Sequence, residues 1–110
     1  MTLLEQMERE RFEKREQDRH EARLRLRDAL MRTIPDQHVF VHGSVTKPGK
    51  FTAESDIDLA LETEPHGVTL YQLISLLSEQ MGRPVDVLLL DECRFREKIL
   101  REGELWTPRD

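Results

Sequence analysis

The chain has 110 residues, of which 37% are hydrophobic and 35% are charged, and its formal net charge is −5. This length supplies one domain with a modest core, and the acidic balance argues against a general nucleic-acid-binding protein, which is normally basic. The single cysteine, Cys93, excludes an intrachain disulfide and fits a reducing compartment. Because the sequence has neither an apolar leader nor a run of about 18 apolar residues, we expect a cytoplasmic protein that is neither secreted nor inserted in a membrane.

Residues 1–33 are predicted to form one or two helices. Their apolar residues are sparse up to residue 20 and then recur at helical spacing, which predicts a core-packed helix at about residues 21–33. Pro35 ends this segment because proline disfavours a helical conformation in the residue before it. We therefore divide the chain into a charged helical extension, residues 1–20, and a folded domain, residues 21–110.

An arginine recurs at every fourth position along this helical segment: Arg11, Arg15, Arg19, Arg23 and Arg27. One interpretation is a basic surface for an anionic partner. The other is a solvated helix face, since acidic residues three or four positions away can pair with these arginines. We favour the solvated face because charge runs on helices are usually exposed.

Two strands separated by a loop are predicted next. His38–His42 alternates β-branched with other residues, which is typical of a strand, and Asp56–Glu62 is the second such segment. The residues between them, Gly43–Ser55, are rich in Gly, Pro, Lys, Thr and Ser, a composition that indicates a loop.

The second half of the chain predicts a helix, a strand and a helix. Thr69 and Gln72 fit a capping box, which begins a helix that Gly82 ends. Val85–Leu90 is almost continuously apolar, so we expect a strand buried on both faces. The apolar residues after it predict a last helix that ends at Gly103. This order of elements predicts an α/β fold with a small mixed sheet of three to four strands flanked by helices.

Three acidic residues lie inside the predicted apolar strands. Asp56 and Asp58 are two positions apart, so in a strand they project to the same face. Asp86 would lie beside them if a single crossover joins the second and third strands. A divalent cation would remove the repulsion between these carboxylates and the cost of burying them. Carboxylate oxygens suit Mg²⁺, with Mn²⁺ as the alternative ion, in a two-metal site for phosphoryl displacement. The alternative is that each acid simply lies at a solvated sheet edge.

The loop after the first strand carries groups that suit a phosphate. Gly43 would let the backbone approach a ligand closely, and the Ser44 hydroxyl and the following N–H groups could surround a phosphate. Lys47 and Lys50 could neutralise a triphosphate. A Gly-Ser pair is also common in ordinary loops, so this prediction depends on its combination with the acids. For His42, packing or hydrogen bonding is the favoured role.

This combination resembles the nucleotidyltransferase superfamily that shares the DNA polymerase β palm, whose pattern is Gly-Ser, a spacer, Asp-x-Asp and a third acid on a later strand. The sequence is most similar to the minimal nucleotidyltransferases, or MNT domains, of prokaryotes. The similarity covers about residues 21–107 and lies in these segments: Gly43-Ser44, Ser55–Ala60, Val85–Val87 and Ile99–Trp106. This sequence departs from the family pattern at three points. The spacer between Ser44 and Asp56 is one residue longer than usual, His42 replaces a typical Phe, and Trp106 replaces a common Tyr.

The resemblance implies a polymerase β palm-like fold and the transfer of a nucleoside monophosphate, expected to be AMP from ATP, to a hydroxyl group. It implies that Asp56 and Asp58 hold two Mg²⁺ ions, that Asp86 binds the catalytic metal and helps to activate the acceptor, and that Gly43 and Ser44 bind phosphate. Many similar proteins are antitoxins encoded beside a HEPN-domain RNase toxin, which they inactivate by adenylylating a tyrosine. A HEPN-domain toxin is therefore the expected partner, and a homo-oligomer is left open.

Two other functions compete with this enzyme. One is a binding antitoxin that masks its toxin, with a nucleotide site that is structural or regulatory. The other is a nucleic-acid-binding accessory that uses the arginine row. The aromatic content of only 5% weighs against base stacking as the binding mode of such an accessory.

Overall fold

A computed structural model describes residues 1–109, so Asp110, the last residue of the expected domain, lies outside the described residues. The described chain contains three α-helices: α1 (Leu3–Thr33), α2 (Leu70–Met81) and α3 (Arg96–Glu102). It contains four strands: β1 (Val39–His42), β2 (Ile57–Leu61), β3 (Val85–Leu89) and β4 (Glu104–Trp106). None of the helices within residues 1–109 is both long and apolar enough to cross a lipid bilayer.

The four strands form one mixed sheet in the order β3-β2-β1-β4. β1 is antiparallel to both β2 and β4, whereas β2 and β3 are parallel and are joined by the α2 crossover. The predicted α/β fold with a small mixed sheet flanked by helices is confirmed. β4 has only three residues, which are too few to show an alternating pattern in the sequence.

The two faces of the sheet are covered unequally because side chains alternate along each strand. The first face packs against α1 and α2 and forms the main core, which includes Val39, Val41, Ile57, Leu59, Leu61, Val85 and Val87. On the second face, Phe40 and Ala60 pack against Ile99 of α3 and the neighbouring Leu90. α3 has only seven residues and packs over β1, so part of the second face stays open.

The expectation that the third strand is buried on both faces is wrong. β3 ends at Leu89 and is an edge strand, and its residues Asp86 and Leu88 are exposed on the open part of the second face. The apolar sequence of β3 therefore reflects burial against the helices on one side only. The first two strands also each begin one residue later than predicted, so that Asp56 immediately precedes β2.

α2 begins and ends where the sequence predicts. The Thr69 hydroxyl accepts a hydrogen bond from the Gln72 N–H at 3.1 Å, and the Gln72 side chain accepts one from the Thr69 N–H at 2.9 Å. These two bonds satisfy N–H groups that the first helical turn leaves unpaired. The helix ends at Gly82 and buries Leu73, Leu77 and Met81 against the sheet.

α1 is one continuous helix of 31 residues. Its buried side chains lie in the second half and are Ala22, Leu26, Ala29 and Leu30. The N-terminal half extends beyond the sheet, and the longest dimension of the molecule is 53 Å against 28 and 24 Å for the other two.

The preferred interpretation of the arginine row as a solvated face is wrong for Arg15, Arg19 and Arg23. These three side chains are partly buried and donate hydrogen bonds to backbone carbonyls of the loop after β1. Arg23 also pairs with Glu104 of β4 at 2.7 Å. These three arginines lie against the body of the domain because positions four apart follow one side of the helix, and that side meets the loop and β4.

Candidate active site

Three polar side chains lie next to one another on the open end of the second sheet face. The strand register pairs His42 of β1 with Asp58 of β2 and pairs Asp58 with Asp86 of β3. Neighbouring strands are about 4.8 Å apart, so Asp58 is flanked by a histidine on one side and a carboxylate on the other.

Asp56 belongs to the same group of charges. It lies one residue before β2 and is exposed, as is Asp86, whereas Asp58 is half-buried. Burial raises the pKa of Asp58, and the negative charges of Asp86 and Asp56 raise it further, while His42 opposes this effect. The ionised form of Asp58 is therefore less favourable than it would be in water, and a bound cation would offset this cost.

The Gly43 backbone lies close against the Asp58 carboxylate. Its φ of 78° and ψ of −159° fall in a region that is essentially restricted to glycine. A Cβ atom at this position would overlap Asp58 Oδ2. The next residue, Ser44, begins a short 3₁₀ turn, Ser44–Thr46, and the Thr46 N–H and hydroxyl both donate to the Gly43 carbonyl, at 3.1 and 2.8 Å.

A cavity of about 230 Å³ opens beside Gly43, between the sheet and α3. Its lining combines apolar, cationic and other polar residues: His42, Gly43, Thr46, Lys47, Leu88, Phe95, Lys98, Ile99 and Glu102. Of the two lysines predicted to meet a triphosphate, Lys47 lines this cavity. Lys50 is exposed and does not line it.

Sequence reasoning missed the α3 side of the cavity. Phe95, Lys98, Ile99 and Glu102 are spaced i, i+3, i+4 and i+7, which places them on one face of a helix. This spacing was the available signal. It does not reveal which face of the sheet the helix packs against.

His42 presents a polar atom without a partner among residues 1–109. Its Nε2 atom is buried and makes no hydrogen bond within the described chain. Burial lowers the pKa of His42, although the Asp58 charge partly opposes this. A ligand in the cavity that hydrogen-bonds to this nitrogen would remove the cost of leaving it unpaired.

The carboxylates suit a hard divalent cation by their chemistry. Among residues 1–109 no three His, Cys, Asp or Glu side chains are grouped closely enough to form a complete metal site. Mg²⁺ does not require such a group, since it usually takes one or two carboxylates and completes its shell with water and substrate phosphates. Asp58, with Asp86 opposite and Asp56 two residues before it, fits that requirement.

Comparison with known proteins gave one finding at the family level. A family model described as "Polymerase beta, Nucleotidyltransferase" matches residues 16–110. No curated protein and no solved structure matches the chain. The matched segment contains all three aspartates, the Gly43-Ser44 pair and the cavity-lining face of α3.

Proposed function

The chain belongs to the polymerase beta nucleotidyltransferase family, and from this premise we propose that it is an Mg²⁺-dependent enzyme that transfers AMP from ATP to a hydroxyl group of a partner protein. Nucleotidyl transfer is the function that the family supports. The nucleotide, the metal and the acceptor are the proposed part. The observation that carries the proposal is the close approach of the Gly43 backbone to Asp58, with Asp86 opposite.

The residues around this contact have complementary roles. Gly43 lets the Asp58 carboxylate lie against the loop backbone, and the Ser44 hydroxyl donates to the phosphate. Asp56 and Asp58 would hold the Mg²⁺ ions, and Asp86 would bind the catalytic ion and help to activate the acceptor. When bound, Mg²⁺ supplies positive charge to the phosphate oxygens and favours ionisation of the hydroxyl.

The transfer exchanges one phosphorus–oxygen bond for another. The acceptor oxygen bonds to the α-phosphorus, the bond from that phosphorus to the bridging oxygen of the β-phosphate breaks, and pyrophosphate leaves with its electron pair. The hydroxyl proton passes to Asp86, which is exposed on the edge strand. Lys47 and Lys98 are placed to offset the negative charge of the phosphates.

The cavity supports a nucleotide as the donor. Phe95 and Leu88 are 60% and 42% exposed, and both line the cavity next to the lysines. Aromatic side chains such as Phe95 stack on nucleobases, and Leu88 adds apolar surface in the same cavity. The base thus has an apolar surface while the phosphates extend towards Gly43.

The acceptor is a protein hydroxyl, and a tyrosine of a HEPN-type RNase toxin is the partner that the similarity to minimal nucleotidyltransferases implies. The position of Asp86 supports a macromolecular acceptor, because an exposed residue on an edge strand can be reached by a side chain of another protein. In this role the chain is an antitoxin that inactivates the toxin by adenylylation.

The test is intact-mass spectrometry of a HEPN-domain toxin after incubation with this protein and Mg-ATP. We expect the toxin to gain the mass of one or more AMP units. Asp58→Asn should abolish this gain, whereas Asp28→Asn, at an exposed position on α1, should preserve it. An unmodified toxin that nevertheless forms a complex with the wild-type protein would contradict the enzymatic proposal.

Masking of the toxin is the second candidate function. It is favoured by the apolar residues Leu3, Leu4 and Met7, which are exposed on the N-terminal half of α1 and could contact a partner independently of the acids. Under this alternative, Asp58→Asn neutralises the toxin as well as the wild type does.

A further inference from the structure

We propose that Glu16, Arg19 and Arg23 of α1, named here the α1 clamp, are positioning residues that hold the loop after β1 in the conformation that binds the nucleotide triphosphate. This inference rests on the proposed function, because it explains what fixes the geometry of the proposed phosphate-binding loop. It also assigns a role to the arginine row, which the chemistry of the three aspartates leaves unexplained.

The first anchor of the loop is the Val45 carbonyl, one residue after Ser44. Arg19 Nη1 donates to this oxygen at 3.2 Å, and Arg23 Nη1 donates to it at 3.3 Å. The Val45 side chain is fully buried, so the residue is fixed on both sides. Two guanidinium groups on one carbonyl restrict the backbone directly after the Gly43-Ser44 pair.

The second anchor is Gly49. Its N–H donates to Glu16 Oε2 at 2.8 Å. The same carboxylate is held by Arg19 through two parallel bonds of 3.1 Å, from Nε and Nη2. Arg19 therefore fixes the first anchor directly and the second through Glu16. Such two-bond pairs between arginine and carboxylate are geometrically specific.

Lys47 lies midway between the anchors and lines the cavity. With Val45 and Gly49 both held by α1, the clamp fixes the Lys47 segment on both sides, and the hydrogen bonds of the turn connect this segment to Gly43 and Ser44. Ser44 and Lys47 are the two loop groups that the proposed function aims at phosphates. Loosening the clamp should therefore weaken phosphate contacts specifically.

Arg23 connects the loop to the sheet. Its Nη1 and Nη2 donate to the Glu104 carboxylate at 3.0 and 2.7 Å, and its guanidinium lies 5.2 Å from the centre of the Trp106 ring. Trp106 Nε1 also donates to Glu104 at 3.2 Å. β4 pairs with β1. The contacts of Arg23 with Glu104 and Trp106 therefore connect the loop to β1, the strand that ends at His42.

The clamp has a matched control on the same helix. Arg9 and Glu13 form an ion pair at 3.2 Å, but their side chains are 66% and 64% exposed, against 18% and 27% for Arg19 and Glu16. Exposed pairs contribute little to stability, and none of the loop contacts described above involves Arg9. Arg9→Gln therefore removes an arginine without touching the loop.

The experiment measures binding of Mg-ATP and of AMP to the full chain by titration calorimetry. We expect Arg19→Gln to weaken Mg-ATP binding by at least about tenfold, which corresponds to about 1.4 kcal/mol, and to change AMP binding much less. Arg9→Gln should bind both ligands as the wild type does. Arg19→Lys should not restore Mg-ATP binding, because a lysine cannot make the planar two-bond pair with Glu16 and also reach Val45.

Two outcomes overturn the inference at once. Restoration by Arg19→Lys would mean that the arginine acts only through its charge, and equal losses for Mg-ATP and AMP would indicate a general structural defect. If Arg19→Gln fails to fold, Glu16→Gln tests the clamp from its other side, with faster hydrogen exchange of the Gly49 amide as the second readout. A wild-type protein that does not bind Mg-ATP contradicts the proposed function itself, whereas normal Mg-ATP binding by the clamp variants contradicts only the positioning role.

Discussion

Gly43 and Asp58 are in closer contact than any side chain at position 43 would permit. The Gly43 backbone occupies a glycine-specific conformation, and the space where a Cβ atom would lie is taken by Asp58 Oδ2. Asp58 is less favourable as an anion there than it would be in water, because burial and the neighbouring acids raise its pKa. The fold thus maintains two costly features at one point, which is common where a structure is adapted to bind a ligand.

Gly43→Ala should be destabilising and should also damage the site. The backbone conformation alone costs about 1–3 kcal/mol for a residue other than glycine, and the added methyl group must displace the Asp58 carboxylate. Urea denaturation gives the loss in unfolding free energy, and calorimetry gives the loss in Mg-ATP affinity.

Gly67→Ala is the matched control for Gly43→Ala. Gly67 has a similar φ of 81°, but a Cβ atom there would meet nothing within 4 Å. We expect this variant to lose stability and to retain Mg-ATP affinity. Equal Mg-ATP affinities for the Gly43 and Gly67 variants would show that Gly43 serves only the turn.

At the scale of elements, local signals and long-range packing differ in how well the sequence predicts them. The start of α2 at Thr69 and its end at Gly82 were predicted, because a capping box and a terminal glycine act within one helical turn. The exposure of Leu88 was not predicted. It depends on how far the seven-residue α3 covers the second face, which no local pattern encodes.

The same distinction applies to the site. The chain segments that carry Gly43, Asp58 and Asp86 could be predicted because each stands at a strand or its end, and a single crossover brings Asp86 next to Asp58. The position of Lys98 in the cavity lining could not be predicted, since it depends on how α3 packs against the sheet. The contacts of Arg19 could not be predicted either. A charged helix face has the same sequence pattern whether water or a loop carbonyl accepts its hydrogen bonds.

Thr69→Ala tests the contribution of the capping box to the crossover between β2 and β3. We expect a loss of about 1 kcal/mol in unfolding free energy, the usual cost of removing an N-cap hydroxyl. Urea denaturation measures this loss. Mg-ATP affinity should be unchanged, because the helix remains folded and Asp86 keeps its register with Asp58.

Thr63→Ala is the control for this substitution. Thr63 is an exposed residue of the segment between β2 and α2, and surface substitutions of this kind usually change stability by less than about 0.5 kcal/mol. If the two variants were equally stable, the hydrogen bond between Thr69 and Gln72 would contribute nothing measurable to the fold.

At the scale of the whole molecule, opposing pKa shifts determine how the unfolding free energy of the free protein changes with pH. Hydrogen bonds from Arg19 and then from the Gly49 N–H lower the pKa of Glu16, and the hydrogen bond from Arg23 lowers the pKa of Glu104. A carboxyl group with a lowered folded-state pKa contributes stability above its ordinary value of 4.5, and this is lost as the pH falls through the lowered value. The raised pKa of Asp58 has the opposite effect on stability, because the folded state takes up this proton before the unfolded state does. The lowered pKa of His42 makes the unfolded state take up its proton first, so that stability falls as the pH drops below 6.5.

We therefore expect the unfolding free energy to begin to fall below pH 6.5 through His42 and to fall further below pH 4.5 as the two glutamates are protonated. Glu104→Gln should make this fall shallower, since one of the two groups no longer titrates. Asp58→Asn should make the fall steeper, because it removes the group whose protonation favours folding. Urea denaturation midpoints measured from neutral pH downwards give these slopes. Parallel curves of midpoint against pH for the wild type, Glu104→Gln and Asp58→Asn would contradict the assigned directions of the pKa shifts.

The arrangement of the whole domain also provides a test that distinguishes catalysis from masking, and Asp86 is the residue to change. Asp86 is exposed on the edge strand, opposite Asp58. The exposed apolar residues Leu3, Leu4 and Met7, by contrast, lie on the extended half of α1. If Asp86 acts mainly on the acceptor hydroxyl, its loss should lower the rate of transfer far more than the affinity for Mg-ATP, since interactions made mainly in the transition state affect the chemical step. Asp86→Asn should then bind Mg-ATP and the toxin but leave the toxin unmodified.

Co-expression of Asp86→Asn with the HEPN-domain toxin provides the measurement, with growth and the intact mass of the toxin as the two readouts. Loss of growth rescue, together with a preserved complex and an unmodified toxin, supports catalysis. Full rescue without any added nucleotide mass makes masking the mechanism. Asp91→Asn, at an exposed position just after β3, is the control and should rescue growth with a modified toxin. We expect the catalytic outcome, because a half-buried Asp58 with Asp86 opposite and Asp56 two residues away is costly for a surface that serves only to mask a partner.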